Sequence, residues 1–343
     1  MDEMAMNYLP FFDRKGERKW ISGVGFAVFA LTVISLLGQF IVAVLAGLFF
    51  PQMLVNPWGL YFLALVPLWF LAVPAYWGIL RMRRKVPVVK RTMSFGEFCL
   101  CFLMCVPVMY VGNLLGNVIS SLLNDVAGTD TVNQVSELMD ATGLLPTTVF
   151  AVILAPVIEE LTFRKLLCDR MRRYGDKAAI LVSAVVFGLY HGNLYQFFYA
   201  AVLGALFAFV YCRTGRVIYT ILLHMLVNFL GSVVPMAIMS ICEEALSMTG
   251  GGDLASMAQL LQDLRPGELL GQLALLGGYG LLILGGSLAG AAAIFACRKK
   301  FVCLPGEVVL PKGQGCKTVV WNTGSVFALI ALVAVLMVNT FLS

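Results

Sequence analysis

Residues 148–175 read TVFAVILAPVIEELTFRKLLCDRMRRYG and place two adjacent carboxylates, Glu159 and Glu160, in the middle of an apolar stretch. A charged side chain at membrane depth costs from about 3 to more than 10 kcal/mol, so it first suggests a functional site. The two glutamates lie roughly 15 Å along a helix from the basic end of the stretch at residues 170–173. No other part of the sequence places acidic residues so deep among apolar ones.

The composition is that of a multi-pass membrane protein. Of the 343 residues, 60% are hydrophobic and only 13% are charged, and the mean hydropathy is +0.89, well beyond the values of soluble domains. The nine cysteines form no C-x-x-C pair and most lie in apolar runs, so a disulfide framework is not expected. We therefore predict a single all-α polytopic membrane domain covering residues 1–343.

Nine apolar stretches are candidates for membrane-spanning helices, because about 18 or more apolar residues can cross the hydrocarbon layer. They cover residues 21–50, 58–80, 95–123, 145–170, 177–192, 195–212, 217–240, 268–297 and 319–342. Eight spans are the alternative, since the fifth stretch is short and the third contains glycine and asparagine.

The distribution of basic residues favours nine spans over eight. With nine spans, every Lys and Arg except Arg265 falls on the same side. Positive residues favour cytoplasmic loops, so we predict a cytoplasmic N-terminus and an outer C-terminus. The net charge of +5 is thereby explained by topology, and a nucleic-acid partner is not expected.

On this topology the two long outer loops, residues 124–143 and 243–268, are acidic and polar. Within the second loop, residues 254–264 have apolar residues at helical spacing and are candidates to lie on the outer leaflet. The eighth segment is rich in glycine, with G-x-x-x-G spacing at 267–271 and 286–290. Such spacing indicates close packing between helices.

The chain contains only two histidines, His191 and His224, and both follow the glutamates within apolar segments. At 1.5 Å per residue, these imidazoles, Glu159 and Asn228 lie between roughly 12 and 21 Å from the basic ends of their helices. All four polar groups therefore fall in the middle of a hydrocarbon layer of roughly 30 Å. Such convergence favours a buried active site over structural core histidines.

Helical geometry assigns different roles to the two glutamates. Glu160 and Arg164 are four residues apart and share a face, so we predict an ion pair that orients the site. Glu159 is turned about 100° away, which leaves it as the working carboxylate. The alternative is a structural salt network that contains both glutamates and Arg164. Pro156 should free a backbone carbonyl, and either widens a cavity or only bends the helix.

Three motifs follow one another along this part of the chain: E-E-x-x-x-R at 159–164, F-x-x-x-H at 187–191 and H-x-x-x-N at 224–228. Together they resemble the motifs of the CAAX-protease and bacteriocin-processing (CPBP, or Abi) intramembrane proteases. The resemblance covers residues 146–231, about a quarter of the chain, as a catalytic core of the fourth to seventh helices. Flanking helices of unknown role make up residues 1–143 and 232–343.

The resemblance implies an endopeptidase that acts within or beside a membrane. By motif position, Glu159 matches the general base that activates water, assisted by His191. His224 and Asn228 match the donors that stabilise the oxyanion, a role for which both side chains are chemically competent. Phe187 is expected to pack against the imidazole rather than to contact substrate.

The family is also described as metalloproteases, so a zinc-dependent form stays open. Glu159, His191 and His224 would supply three ligands, enough for a catalytic zinc with one open position. Glu160 would then be the candidate base, although its predicted pairing with Arg164 argues against that role. We favour a site without a cofactor.

The expected partners are the lipid bilayer and a membrane-associated or lipid-anchored peptide substrate, and the expected location is a bacterial cell membrane. A proton-coupled transporter is one rival, because intramembrane Glu and His also relay protons. It predicts paired repeats with broken helices, which the sequence does not show. A second rival is a non-catalytic immunity or scaffold protein with the same fold.

Overall fold

The computed structural model describes residues 13–86, 88–129, 131–242, 266–311 and 313–341. In these ranges the chain folds into helices and contains no strand. The prediction of an all-α polytopic membrane protein is therefore confirmed. The predicted outer-leaflet segment at 254–264 lies outside the described residues.

Among the described residues, a helix stands at each of the nine predicted positions. These helices are α1 (Arg14–Phe49), α2 (Pro57–Leu80), α3 (Phe95–Ala127), α4 (Leu144–Tyr174), α5 (Asp176–Tyr190), α6 (Leu194–Thr214), α7 (Val217–Ile241), α8 (Pro266–Cys297) and α9 (Thr323–Phe341). Within the described ranges, eight positions hold helices long and apolar enough to cross a membrane. Helix α5 has only 15 residues and falls short of that length.

The shortness of α5 sets the depth of the turn that follows it. A helix of 15 residues is about 22 Å long, less than a hydrocarbon layer of roughly 30 Å. The chain reverses within three residues, and α6 packs antiparallel against α5. The turn that carries His191 therefore lies short of the far membrane surface.

Helix α4 widens into π-helical turns at Thr148–Leu154 and at Leu161–Cys168. In the first of these, the amide of Ala155 donates to the carbonyl of Phe150, and the next residue, Pro156, has no N–H to donate. The carbonyl of Ala151 is consequently left without a backbone donor from its own helix. The helix therefore contains a carbonyl without a backbone donor, as predicted from Pro156.

The flanking helices pack against one another through glycines. At the α1–α9 contact, a side chain at Gly324 would overlap the carbonyl oxygen of Ser22. At the α3–α8 contact, a side chain at Gly290 would overlap the carbonyl oxygen of Leu103. The packing prediction therefore holds at Gly290. For the pair at 267–271 it stays a prediction, because no described atom lies within 4 Å of an added Cβ.

We expect Gly290→Ala to destabilise the protein by about 1–3 kcal/mol, because α3 and α8 would have to separate. Gly271→Ala, on the same helix but facing open space, should be neutral or slightly stabilising, since alanine is the better helix former. The measurement is heat-induced unfolding of the detergent-solubilised protein. Equal effects of the two substitutions would contradict the close contact at Gly290.

The α8–α9 connection runs across the basic ends of α4 and α5. The amide of Leu304 donates to the Asp176 carboxylate at 3.0 Å, and the Asp176 amide donates back to the Leu304 carbonyl at 2.9 Å. The amide of Val308 donates to the carbonyl of Arg173 at 2.9 Å. The connection is therefore tied to the core by backbone hydrogen bonds on its basic side.

Candidate functional site

Glu160 and Arg164 form a completely buried ion pair on α4. Glu160 Oε2 and Arg164 Nε are 3.0 Å apart, and both side chains are 0% exposed. The two groups attract each other as charges, but their alignment is not that of a hydrogen bond. The predicted i,i+4 pairing is thus present at the centre of the fold.

Two aromatic rings complete the surroundings of the arginine. Its guanidinium carbon lies 4.2 Å from the ring centre of Phe187 on α5 and 5.5 Å from that of Phe207 on α6. The electron-rich ring faces attract the cation, whose nitrogens have no hydrogen-bond acceptor among the described residues. Phe207 belongs to no motif, and no signal in the sequence indicated its place beside Arg164.

His224 on α7 connects the two neighbouring carboxylates. Its Nδ1 is 3.0 Å from Glu160 Oε1, within hydrogen-bond range, and its Nε2 is 3.8 Å from Glu159 Oε2. Because the buried Glu160 holds Nδ1, the ring is oriented with Nε2 directed at Glu159. The Glu159 side chain is 19% exposed and faces the imidazole rather than lipid.

His191 is the first residue after α5, and its ring is oriented by the same helix. Its Nδ1 lies 2.8 Å from the carbonyl of Phe187. Since a carbonyl can only accept, Nδ1 carries the proton and Nε2 is the acceptor in the neutral ring. The Phe187 ring contacts His191 and His224 edge-on, at 4.7 and 5.7 Å between ring centres. Together with its contact to Arg164, Phe187 therefore touches one residue from each of the three motifs.

The turn after His191 is fixed by asparagines from two helices. Gly192 has a φ of +69°, a conformation that glycine adopts without steric cost. Asn193 donates through Nδ2 to the carbonyl of His191 at 3.1 Å and caps the first turn of α6. Asn339, near the end of α9, donates to the carbonyl of Gly192 at 2.9 Å. Sequence reasoning missed this contact of Asn339, because no spacing relates the residue to the motifs.

Asn228 lies one turn after His224 and joins α7 to α4. Its Nδ2 donates to the carbonyl of Ala151 at 2.9 Å, the carbonyl that Pro156 leaves without a backbone donor. One amide N–H is thereby used to hold the helices together. The second N–H and Oδ1 are the groups that could face a substrate.

Metal binding by Glu159, His191 and His224 stays a prediction. Among the residues that the structure describes, no three His, Cys, Asp or Glu side chains are grouped closely enough to hold an ion. Both imidazoles do have the orientation of metal-bound histidines, with Nδ1 on an acceptor and Nε2 directed away from it. Of the three candidate ligands, His224 and Glu159 approach each other to 3.8 Å, between Nε2 and Oε2.

The fold and the site define a multi-pass α-helical membrane protein with a charged cluster buried between α4, α5 and α7. Residues 141–230 match the family model described as "Type II CAAX prenyl endopeptidase Rce1-like". The matched range contains all six candidate residues. The resemblance deduced from the motifs is therefore confirmed at the family level over about a quarter of the chain.

One curated relative agrees with this assignment. The chain is 34% identical over 77 residues to "Putative membrane peptidase YdiL" of Bacillus subtilis (strain 168). The alignment covers 22% of this chain and 32% of the relative, so the chain matches less than half of that protein's length. No solved structure matches the chain.

Proposed function

We propose that the protein is an intramembrane endopeptidase that hydrolyses a peptide bond in a membrane-associated or lipid-anchored peptide. The observation that carries the proposal is the orientation of His224, held by Glu160 with its Nε2 facing Glu159. The description of the matching family and the name of the relative supply the reaction class.

Glu159 is the general base in this proposal. Its carboxylate has no hydrogen bond to another described residue and is partly exposed, so it can accept a proton from a water molecule. Glu160 is occupied by Arg164 and His224 and is not available for that role. His191, with Nε2 as a free acceptor, assists in orienting the water.

His224 and Asn228 stabilise the oxyanion that forms when the water oxygen attacks the peptide carbonyl. Because Nδ1–H is donated to Glu160, Nε2 can donate only when the ring is an imidazolium. The remaining N–H of Asn228 is the second donor. Exclusion of bulk water strengthens both interactions.

Proton transfer completes the reaction. Glu159 takes one proton from the attacking water, and the leaving amine receives a proton when the C–N bond breaks, from protonated Glu159 or from His224. The products are a carboxylic acid and an amine, which become a carboxylate and an ammonium group when the acid's proton passes to the amine. No redox partner or group donor is required. The substrate enters beside Glu159, the more exposed of the two glutamates.

The experiment that tests the proposal compares the membrane peptides of cells that contain the wild-type chain with those of cells that lack it. We expect defined peptides to be cut only when the chain is present, and Glu159→Ala and His224→Ala to abolish the cuts while still inserting. If both variants retain the phenotype of the wild type, the chain is a non-catalytic immunity or scaffold protein and the proposal fails.

We further expect cleavage to proceed at its full rate in the presence of a strong chelator, because the proposed steps use only side chains and water. Metal analysis of the purified protein should find less than stoichiometric zinc. Loss of activity on chelation, with recovery on addition of zinc, would instead establish the zinc-dependent form of the same protease.

A further inference from the structure

The basic ends of α1, α2 and α9 enclose a pocket of about 490 Å³ that shares no residue with the candidate active site. This volume is in the range of small-ligand sites, roughly 300–1,000 Å³. Its polar lining comes from three separate segments: Lys15, Arg18 and Lys19 of α1, Arg83 after α2, and Asn322 and Thr323 at the start of α9.

The four cations of this pocket are not neutralised by described residues. None of them takes part in an ion pair in those ranges, and no acidic residue lines the pocket. Of the two acids at this end of α1, Asp13 accepts from the amide of Gly16 as the helix cap, and Glu17 is bound by Arg173 at 2.7 Å. The pocket is therefore a concave region of strong positive potential, which attracts anions.

The arginines are held in place within it. Gly23 of α1 leaves the space that the Arg83 guanidinium fills, since a Cβ at this position would overlap it. Nε of Arg83 is buried and has no hydrogen-bond partner in the described ranges. Arg18 donates through Nη2 to the carbonyl of Trp321 at 2.6 Å. Membrane topology requires basic residues on one side, but it does not require cations of two segments to converge on one pocket.

Two features of the pocket suit the headgroup region of a membrane. Trp321 is 62% exposed beside it, and exposed tryptophans mark the membrane–water interface. Phe26, 40% exposed, lines it on the side where α1 continues into apolar sequence. A ligand there would meet positive charge at one end and an apolar wall at the other.

We propose that this pocket binds the phosphate of an anionic phospholipid headgroup. Guanidinium groups bind phosphate oxygens through paired hydrogen bonds, and the lysines add attraction for net negative charge. The apolar wall at Phe26 distinguishes a lipid from inorganic phosphate, which shares the headgroup chemistry but has no chain to place there.

The test uses the full-length protein in detergent micelles, with phosphatidylglycerol, phosphatidylcholine or inorganic phosphate as the probe. Retained lipid is measured by native mass spectrometry, and binding by the rise in unfolding temperature. We expect wild type to bind phosphatidylglycerol at least about tenfold more tightly than phosphatidylcholine, as several nearby cations would produce. Lys15→Gln/Lys19→Gln, at exposed positions, and Arg83→Gln should each reduce this preference.

Lys85→Gln/Lys90→Gln is the matched control, because both lysines are exposed on the basic side and outside the pocket. The control should keep the wild-type preference. An equal loss in the control and the pocket variants would show general surface attraction and overturn the proposal. Inorganic phosphate that binds as tightly as phosphatidylglycerol would overturn the lipid as the ligand. The result for Arg83→Gln counts only if the solubilised variant is monodisperse. If it is not, the result for Lys15→Gln/Lys19→Gln decides the test.

Discussion

Glu159→Gln is expected to lower the rate of peptide-bond cleavage by about 10³-fold, within the range that one general base contributes. The substitution keeps the size and polarity of the side chain but removes its capacity to accept a proton from water. Since Glu159 does not take part in the Glu160–Arg164 pair, the fold should be retained. The measurement is cleavage of a membrane-inserted peptide by the protein in liposomes.

The control for this experiment is Glu137→Gln, which removes an exposed carboxylate from the short helix Gln134–Thr142. It should cleave at the wild-type rate. If Glu159→Gln retained more than a tenth of the wild-type rate, Glu159 would not be the base and the proposed mechanism would be wrong.

Arg164→Met should produce the largest loss of stability of any single substitution considered for this protein. It would leave Glu160 buried at 0% exposure without its cation, and removal of one partner of a buried pair costs about 3–5 kcal/mol. The stacking of the guanidinium on Phe187 and Phe207 would be lost as well. The readout is heat- or denaturant-induced unfolding of the solubilised protein.

Two further variants separate the buried charge from other causes of destabilisation. Arg84→Met removes the cation of an exposed pair with Glu307 and should cost less than about 1 kcal/mol. In the double variant Glu160→Gln/Arg164→Met, the amide oxygen can still accept from His224 Nδ1, and no charge is left unpaired. It should recover part of the stability, and a double variant no more stable than Arg164→Met would contradict the electrostatic explanation.

The helices could be predicted from sequence because each depends on a local property, the length of an apolar run. The same is true of the Glu160–Arg164 pair, since a separation of four residues on one helix fixes their relative position. The π-helical turns of α4 were not predicted as such, although Pro156 indicated a freed carbonyl. The limits of α5 were predicted to within about two residues. The short length of this helix matters for the site because it sets the depth of the turn that carries His191.

Contacts between helices were beyond sequence reasoning. The motifs indicated that Glu159, His191 and His224 belong together, but not that Glu160 holds the ring of His224. Asn228 was assigned to the oxyanion alone, and its hydrogen bond to Ala151 appears only once α4 and α7 are packed. Such contacts join residues far apart in the chain, and a single sequence contains no periodic signal for them.

The hydrogen bond from Asn339 to Gly192 has a practical consequence for anyone who shortens the chain. The family match ends at residue 230, yet the loop that presents one imidazole is secured from more than a hundred residues further on. On the basic side of the same core, residues 304–308 are joined to residues 173–176 by backbone hydrogen bonds. Residues 141–230 are therefore not expected to fold as a separate domain. A fragment restricted to them would lack both of these contacts.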